Sequence, residues 1–158
     1  MKVTVIGLGP GGGADLTGRA RAALEECDLL VGYTAYIDLV KEDFPDKETL
    51  STGMRREVDR CRAAVEAMAP GPRRDIAWAE YYYFTGQPEK AARAAAAYLT
   101  GPDMGAQLSA CLIYAYANLS LHQIQHARFA LDEMQKFLAA GAEKAPHLRA
   151  AGAFVAAT

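Results

Sequence analysis

The stretch Met68-Ala69-Pro70-Gly71-Pro72-Arg73-Arg74 limits every fold open to this chain, because two prolines flanking a glycine cannot continue a helix. On its N-terminal side lie strand-like runs, a glycine loop and helical patterns of mixed composition. On its C-terminal side roughly a quarter of the residues are alanine and every pattern is helical. A break of this kind predicts segments over 1–69 and 75–158 about a seam at 70–74. Each segment is short for an independent domain, so the seam also reads as a join between fragments.

With 158 residues and 51% of them hydrophobic, the whole chain can bury one sizeable core. Net charge is −2, with nine basic and twelve acidic residues up to Ala69 and eight and seven beyond it. Neither part has the basic excess of a nucleic-acid binder. The cysteines Cys27, Cys61 and Cys111 are odd in number, far apart and without CxxC spacing, which points to reduced thiols and away from a structural metal site. The apolar run after Lys2 is too short for a signal-peptide core, and nothing approaches the ~20 residues of a membrane span. The expectation is a cytoplasmic protein with neither a membrane nor a nucleic-acid partner.

In the first segment, Val3–Ile6 is a β-branched apolar run entering Gly7-Leu8-Gly9-Pro10-Gly11-Gly12-Gly13, which predicts a buried parallel strand and a tight turn. A helix follows, capped by Asp15 or Thr17, with Leu16, Ala20, Ala23 and Leu24 at helical spacing as far as Cys27-Asp28. Leu29–Val31 predicts a second buried strand, Tyr36–Val40 a short helix stopped by Pro45, and Glu48–Ser51 a third strand. After Thr52-Gly53, the residues Met54, Val58, Cys61, Ala64, Val65 and Met68 form one apolar stripe. The order β-α-β-α-β-α predicts a parallel sheet. The glycine loop either lets a ligand approach the backbone or merely turns the chain. It is no dinucleotide fingerprint, since the third glycine of the pattern falls at Gly12, before any helix begins, and no GK[ST] follows.

Four motifs in order carry a resemblance: Gly7-Leu8-Gly9-Pro10-Gly11, Asp15-Leu16-Thr17, Gly32-Tyr33-Thr34-Ala35-Tyr36, and the run Ser51-Thr52-Gly53-Met54-Arg55-Arg56-Glu57-Val58-Asp59-Arg60-Cys61. Together they resemble the start of the precorrin-3B C(17)-methyltransferases, tetrapyrrole methylases that use S-adenosylmethionine in cobalamin biosynthesis. The resemblance covers Met1 to about Met68. It implies that Gly7, Gly9, Pro10 and Gly11 descend from a cofactor-binding loop, and Tyr33, Tyr36, Thr52, Met54 and Glu57 from substrate-binding signatures. It also implies a sheet ordered 3-2-4-1-5, whereas the fourth strand, the donor-binding loop after it and the second domain of that family do not follow here. Strands one and two must then pair directly or accept another element between them. Methyl transfer needs donor and acceptor held in line. The inherited residues are therefore expected to be idle, with no catalytic residue and no bound cofactor.

The second segment predicts helices over Ala77–Phe84, with Trp78, Tyr81 and Tyr82 on one side, and over Glu89–Leu99, with Pro88 near its start. Gln107–Leu119, Gln123–Leu138 and Pro146–Ala157 follow. Aligning Ala91 with Ala127 gives a period of about 36, close to tetratricopeptide spacing. Trp78-Ala79-Glu80-Tyr81, Phe84-Thr85-Gly86-Gln87-Pro88-Glu89-Lys90-Ala91 and Leu108–Leu119 resemble the helical repeats of LuxR/MalT-type transcriptional regulators. That resemblance implies an interaction scaffold, without the regulators' nucleotide-binding or DNA-binding domains. The end at Ala153–Ala156 reads as a helix cut mid-course.

His122 and His126 lie four apart, but no third ligand completes a metal site, and they read as a solvated or capping pair. The aromatic run Tyr81-Tyr82-Tyr83-Phe84 with Trp78 reads as core more than as a groove. Arg55, Arg56, Arg60 and Arg62 are interleaved with Glu57, Asp59 and Glu66, an ion-paired helix face more than a tetrapyrrole contact. The fold expectation is a truncated parallel βαβαβα unit followed by an all-α, tetratricopeptide-like segment, in a fragment-joined protein without catalysis. Two alternatives stand beside it: a residual S-adenosylmethionine- or tetrapyrrole-binding methyltransferase acting as an oligomer, and a repeat module that binds a protein or peptide on its helical half. The cut edges imply a homo-oligomer.

Overall fold

Thr17 opens the first helix: its hydroxyl accepts the Ala20 amide at 3.2 Å and caps α1 (Gly18–Glu26), which ends where Cys27 turns into extended backbone. The computed structural model describes residues 4–9 and 11–141. They fall into two units, residues 1–68 and 69–158. In the first, β1 (Leu29–Tyr33) runs into α2 (Thr34–Val40), and after Pro45 the chain returns as β2 (Glu48–Thr52), parallel to β1 in a register from Leu29–Glu48 to Tyr33–Thr52. Leu24, Leu30, Ile37, Val40 and Phe44 form the core of this unit, with Ile6, Leu8, Leu16 and Cys27 half-buried against it.

Several expectations change here. The strand expected over Val3–Ile6 is not formed by Thr4–Ile6: Val5 is 96% exposed while Ile6 and Leu8 turn onto the core. A strand needs a hydrogen-bonded neighbour. In the implied order the first strand's neighbours are the fourth and fifth, and neither is present among the described residues. Strands one and two do not pair; among the described residues the sheet is β1 and β2 alone, not three strands. β1 is also not buried on both faces, since Leu30 points into the core and Val31 is exposed. Only the end of the stripe on α3 (Glu57–Ala67) is covered: Val65 and Met68 are buried, Met54, Val58 and Cys61 exposed.

The second unit is helical. Gly71, at φ 146°, leads into Pro72 at the first position of α4 (Pro72–Phe84), where a missing N–H costs nothing. The same device starts α5 (Pro88–Ala96). Asp103 caps α6 (Met104–Ser120) by accepting the Gly105 and Ala106 amides at 3.0 Å, and α7 (Ile124–Gly141) follows. α4 pairs with α5 and α6 with α7, and α6 packs on both helices of the first pair. Their core joins Ile76, Ala79, Ala91 and Ala95 to Ala110, Cys111, Ala115 and Met134, so the alanines serve as close-approach surfaces.

The two helix turns are copies of each other. Gly86 donates to the Tyr83 carbonyl and Gln87 to that of Tyr82, at 3.1 and 2.8 Å; His122 donates to Leu119 and Gln123 to Asn118, at 3.0 and 2.8 Å. Gly86 and His122 hold the same left-handed position, at φ 76° and 58°. The helix expected over Pro146–Ala157 lies outside the described residues. No helix among those described is long and apolar enough to cross a membrane.

Candidate functional site

In a parallel α/β unit ligands meet the chain beyond the carboxyl ends of the strands, and here those ends are Tyr33 and Thr52, side by side in the register. The Thr34 hydroxyl donates to the Thr52 carbonyl at 3.1 Å, which ties the start of α2 to the end of β2. Tyr36, one turn into α2 and 59% exposed, meets the Tyr33 ring edge-on at 5.5 Å. Beyond Gly53 the chain reverses through Met54 and through Arg55, which takes a left-handed backbone (φ 62°) that costs a bulky residue about 1–2 kcal/mol. That reversal starts α3 over the strand ends.

Arg60 reaches back from α3. Its guanidinium donates to the Thr52 hydroxyl at 2.6 Å, the Gly53 carbonyl at 3.1 Å and the Glu57 carboxylate at 3.1 Å. One side chain, 16% exposed, thereby joins Thr52 to Glu57. Tyr33, Tyr36, Thr52 and Glu57 thus share one locality, while Met54 stands 67% exposed in the turn. The sequence shows Arg60 only as one charge in a run; its tie to Thr52 depends on the left-handed turn at Arg55, which no spacing rule reveals. Of the other arginines in the run, Arg56 pairs with Asp59 at 2.5 Å and Arg62 with Glu66 at 2.9 Å on the surface.

The glycine loop lies elsewhere. Gly7 and Gly9 have open space above them, with Gly9 in a left-handed turn at φ 71°, and Pro10 is outside the described residues. A Cβ on Gly11 would overlap the Asp15 carboxylate, and one on Gly13 the carboxylate of Asp43. Gly12 abuts the Leu39 carbonyl. Arg21 donates to the Gly13 carbonyl at 2.8 Å and lies 5.7 Å over the Phe44 ring. The Gly11–Gly13 part of the loop, flanked by two carboxylates, is not an anion cradle. Leu39 and Asp43 mark the C-terminal end of α2, whereas Tyr33 precedes its first residue. Seven residues of helix thus separate Gly12 and Gly13 from Tyr33 by about 10 Å.

His122 and His126 do not share a helix face: His122 belongs to the turn before α7, and the His126 ring bonds to the Gln123 side chain at 2.9 Å. Among the described residues no three His, Cys, Asp or Glu side chains converge as metal ligands. Trp78 packs with Tyr81 and Tyr82 at 5.4 and 5.6 Å, all half-buried, but Phe84 is 79% exposed at one end of a groove between α4 and α6.

The family description "Tetrapyrrole (Corrin/Porphyrin) Methylases" matches residues 2–102, which takes in α4 and α5 beyond the seam. The chain is 45% identical over 69 residues to a probable cobalt-factor III C(17)-methyltransferase of Salmonella typhimurium, covering 44% of this chain and 29% of that protein. It is 40% identical over 70 residues to a cobalt-factor III methyltransferase of Priestia megaterium, covering 44% and 13%. To a cobalamin biosynthesis protein of Archaeoglobus fulgidus it is 40% identical over 65 residues, covering 41% and 15%. The chain thus spans less than a third of the length of these relatives. No solved structure gives a significant match.

Proposed function

This chain belongs to the tetrapyrrole (corrin/porphyrin) methylase family, and from that premise we propose that its α/β unit is a partial corrin-methylase site that does not transfer a methyl group by itself. The observation that carries this reading is that Thr4–Ile6 form no strand, so that among the described residues the sheet is β1 and β2 alone. Methyl transfer requires donor methyl and ring carbon within about 3–3.5 Å and in line. A glycine loop that no strand anchors at the sheet's carboxyl edge does not supply that alignment.

S-adenosylmethionine is the methyl donor of the family; Gly7 and Gly9 are open, whereas the Asp15 and Asp43 carboxylates beside Gly11 and Gly13 would repel the donor's own carboxylate there. What the unit does keep is a polar, aromatic edge at the strand ends. Tyr33, Tyr36 and the tied Thr52 and Arg60 are chemically suited to the rim of a carboxylate-bearing macrocycle.

The helical unit, on this proposal, is a tetratricopeptide-like scaffold of separate ancestry joined to the methylase part. The repeated turn at Gly86 and His122 supports it, as does the limit of the relatives' matches to 65–70 residues. The extension of the family match to residue 102 weighs against a join at the seam. The three free thiols favour a cytoplasmic setting.

The test is a methylation assay with S-adenosylmethionine and cobalt-factor III, read by mass spectrometry of the corrinoid. No methylated product above the protein-free control is expected, and calorimetry with millimolar S-adenosylmethionine should give no binding heat. Product formed at a rate proportional to protein concentration would overturn the reading.

A further inference from the structure

β1 has a hydrogen-bonded neighbour on one edge, β2, and none on the other among the described residues. In a parallel ladder alternate residues turn their N–H and C=O groups away from the neighbour, so about half of the main-chain groups of Leu29–Tyr33 face that second edge. In the sheet order that the methylase resemblance implies, this edge is taken by the fourth strand and lies inside the sheet. Here it is an outer edge.

Outer edges of folded proteins carry a charge, a proline or a bulge that deters further pairing. β2 is protected in this way, since Glu48-Thr49-Leu50-Ser51-Thr52 follows Lys47 and sets one apolar side chain among a charge and hydroxyls. β1, Leu29-Leu30-Val31-Gly32-Tyr33, contains no charge and no proline, and its register with β2 runs one to one without a bulge. Val31, at its middle, is 36% exposed, and on α3, which packs against both strands, Val58 is 53% exposed. Two strands also fall short of the three or more that make a sheet stable by itself.

A second copy of the same strand fits this edge. Placed antiparallel about a two-fold axis at Val31, the strand meets itself with Val31 against Val31, Leu29 against Tyr33, and Leu30 against Gly32. Side chains alternate along a strand, so Leu30 and Gly32 share the core face, Leu29, Val31 and Tyr33 share the other, and each pairing stays on one face. On the core face Ile37 lies over Gly32, where a Cβ would come within 2.9 Å of its Cδ1. A large side chain of one copy thereby meets the smallest residue of the other beside an apolar neighbour. On the opposite face an aliphatic and an aromatic side chain are paired. The ladder buries no charge and opposes none. Any strand could satisfy the free main-chain groups, but this match of sizes about Val31 belongs to the strand's own sequence.

We propose that β1 strands of two copies pair antiparallel through their open edges, centred on Val31, giving a two-fold dimer with one continuous sheet in the order β2–β1–β1–β2.

The test is sedimentation equilibrium of the full chain and of its Val31→Lys and Val31→Glu variants. Val31 is exposed in the single copy, so both variants should keep the amide spectrum of the core around Leu24 and Phe44. Expected are a concentration-dependent dimer of the wild-type chain and at least tenfold weaker association of either variant alone, because like charges then face each other across the axis. Mixing the two variants should restore association to within about threefold of wild type, since lysine then faces glutamate. In a mixture of labelled and unlabelled wild-type chains, isotope-filtered NMR should show contacts from Leu29 of one copy to Tyr33 of the other. A monomer at millimolar concentration, a dimer that neither variant weakens, or mixed variants that associate no more tightly than each alone would overturn the proposal. So would a dimer whose intermolecular contacts lie in the helical unit.

Discussion

His122 holds a left-handed backbone position that Gly86 fills in the matching turn, and the two side chains differ in what that position costs. A Cβ in the left-handed region costs about 1–2 kcal/mol, less for His than for a branched residue. His122→Gly should therefore relieve about 1 kcal/mol of strain, set against the greater freedom glycine gains when unfolded, for a net stabilisation of about 0.5 kcal/mol. Gly86→Ala should destabilise by about 1 kcal/mol, and urea midpoints at constant slope measure both. The cysteines separate as clearly. Cys111 is buried, and desolvation, with the Glu133 charge as a lesser cause, pushes its thiol up to about 11, while Cys61 is exposed. Iodoacetamide at pH 8 should modify Cys61 in the native protein and reach Cys111 only on unfolding, as peptide mapping would read; native labelling of Cys111 ahead of Cys61 would contradict that burial. At this scale the sequence is readable where the cause is local, as with the Thr17 cap. It is silent where the cause is a distant turn: Cys61 sits on an apolar stripe that suggests burial, and Arg60 looks like any charge in its run.

Tyr98 closes the first hairpin, since its hydroxyl donates to the Asp75 carboxylate at the start of α4, across from the end of α5. That bond, then desolvation and the Asp75 charge, raises the tyrosine's pKa above its usual 10. The bond is partly screened by solvent, so Tyr98→Phe should cost about 1 kcal/mol. Tyrosine is neutral when protonated, and its folded pKa lies above the unfolded one; its stabilisation is complete below about pH 10 and lost as pH rises through the raised value. The wild-type and Tyr98→Phe urea midpoints should thus differ at pH 7 and converge at high pH; a constant difference would exclude this linkage. Elements themselves were legible in proportion to how little they depend on partners. Helices α1 and α2 and strands Leu29–Tyr33 and Glu48–Thr52 follow from spacing, caps and Pro45. The apolar run Val3–Ile6 has the same composition as a strand, but a ladder requires a neighbour, and composition does not say whether one is supplied. The candidate site's residues were legible by type, while the tie that Arg60 makes from α3 to Thr52 was not.

Taken as a whole, the chain carries two cores of unequal size, and the inequality decides how it should come apart. Among the described residues the helical unit buries a cluster of thirteen, Ile76 through Met134, and the α/β unit a cluster of five, Leu24 through Phe44. At about 25 cal/mol per Å² of apolar surface, the larger cluster holds most of the stabilisation. A two-stranded sheet with Val31 and Val58 exposed adds little of its own. The composition break at Met68–Arg74 signals in the sequence that a helix must stop there, although the next was expected from Ala77 and begins at Pro72; alanine content does not say that small residues give the tighter core, which follows only from helices packed close enough for Ala79, Ala91, Ala95, Ala110 and Ala117 to reach zero exposure. Trp78, the one tryptophan of the chain, lies in the helical unit and packs with Tyr81 and Tyr82 of the same helix. Rising urea should expose the Leu30 and Val31 amides to hydrogen exchange before Trp78 fluorescence changes, and the Ala115 and Ala117 amides should exchange only with that fluorescence transition. If the strand amides and Trp78 instead respond at one midpoint with one slope, the two cores unfold as a single cooperative unit, and the smaller one draws its stability from more than its own buried side chains.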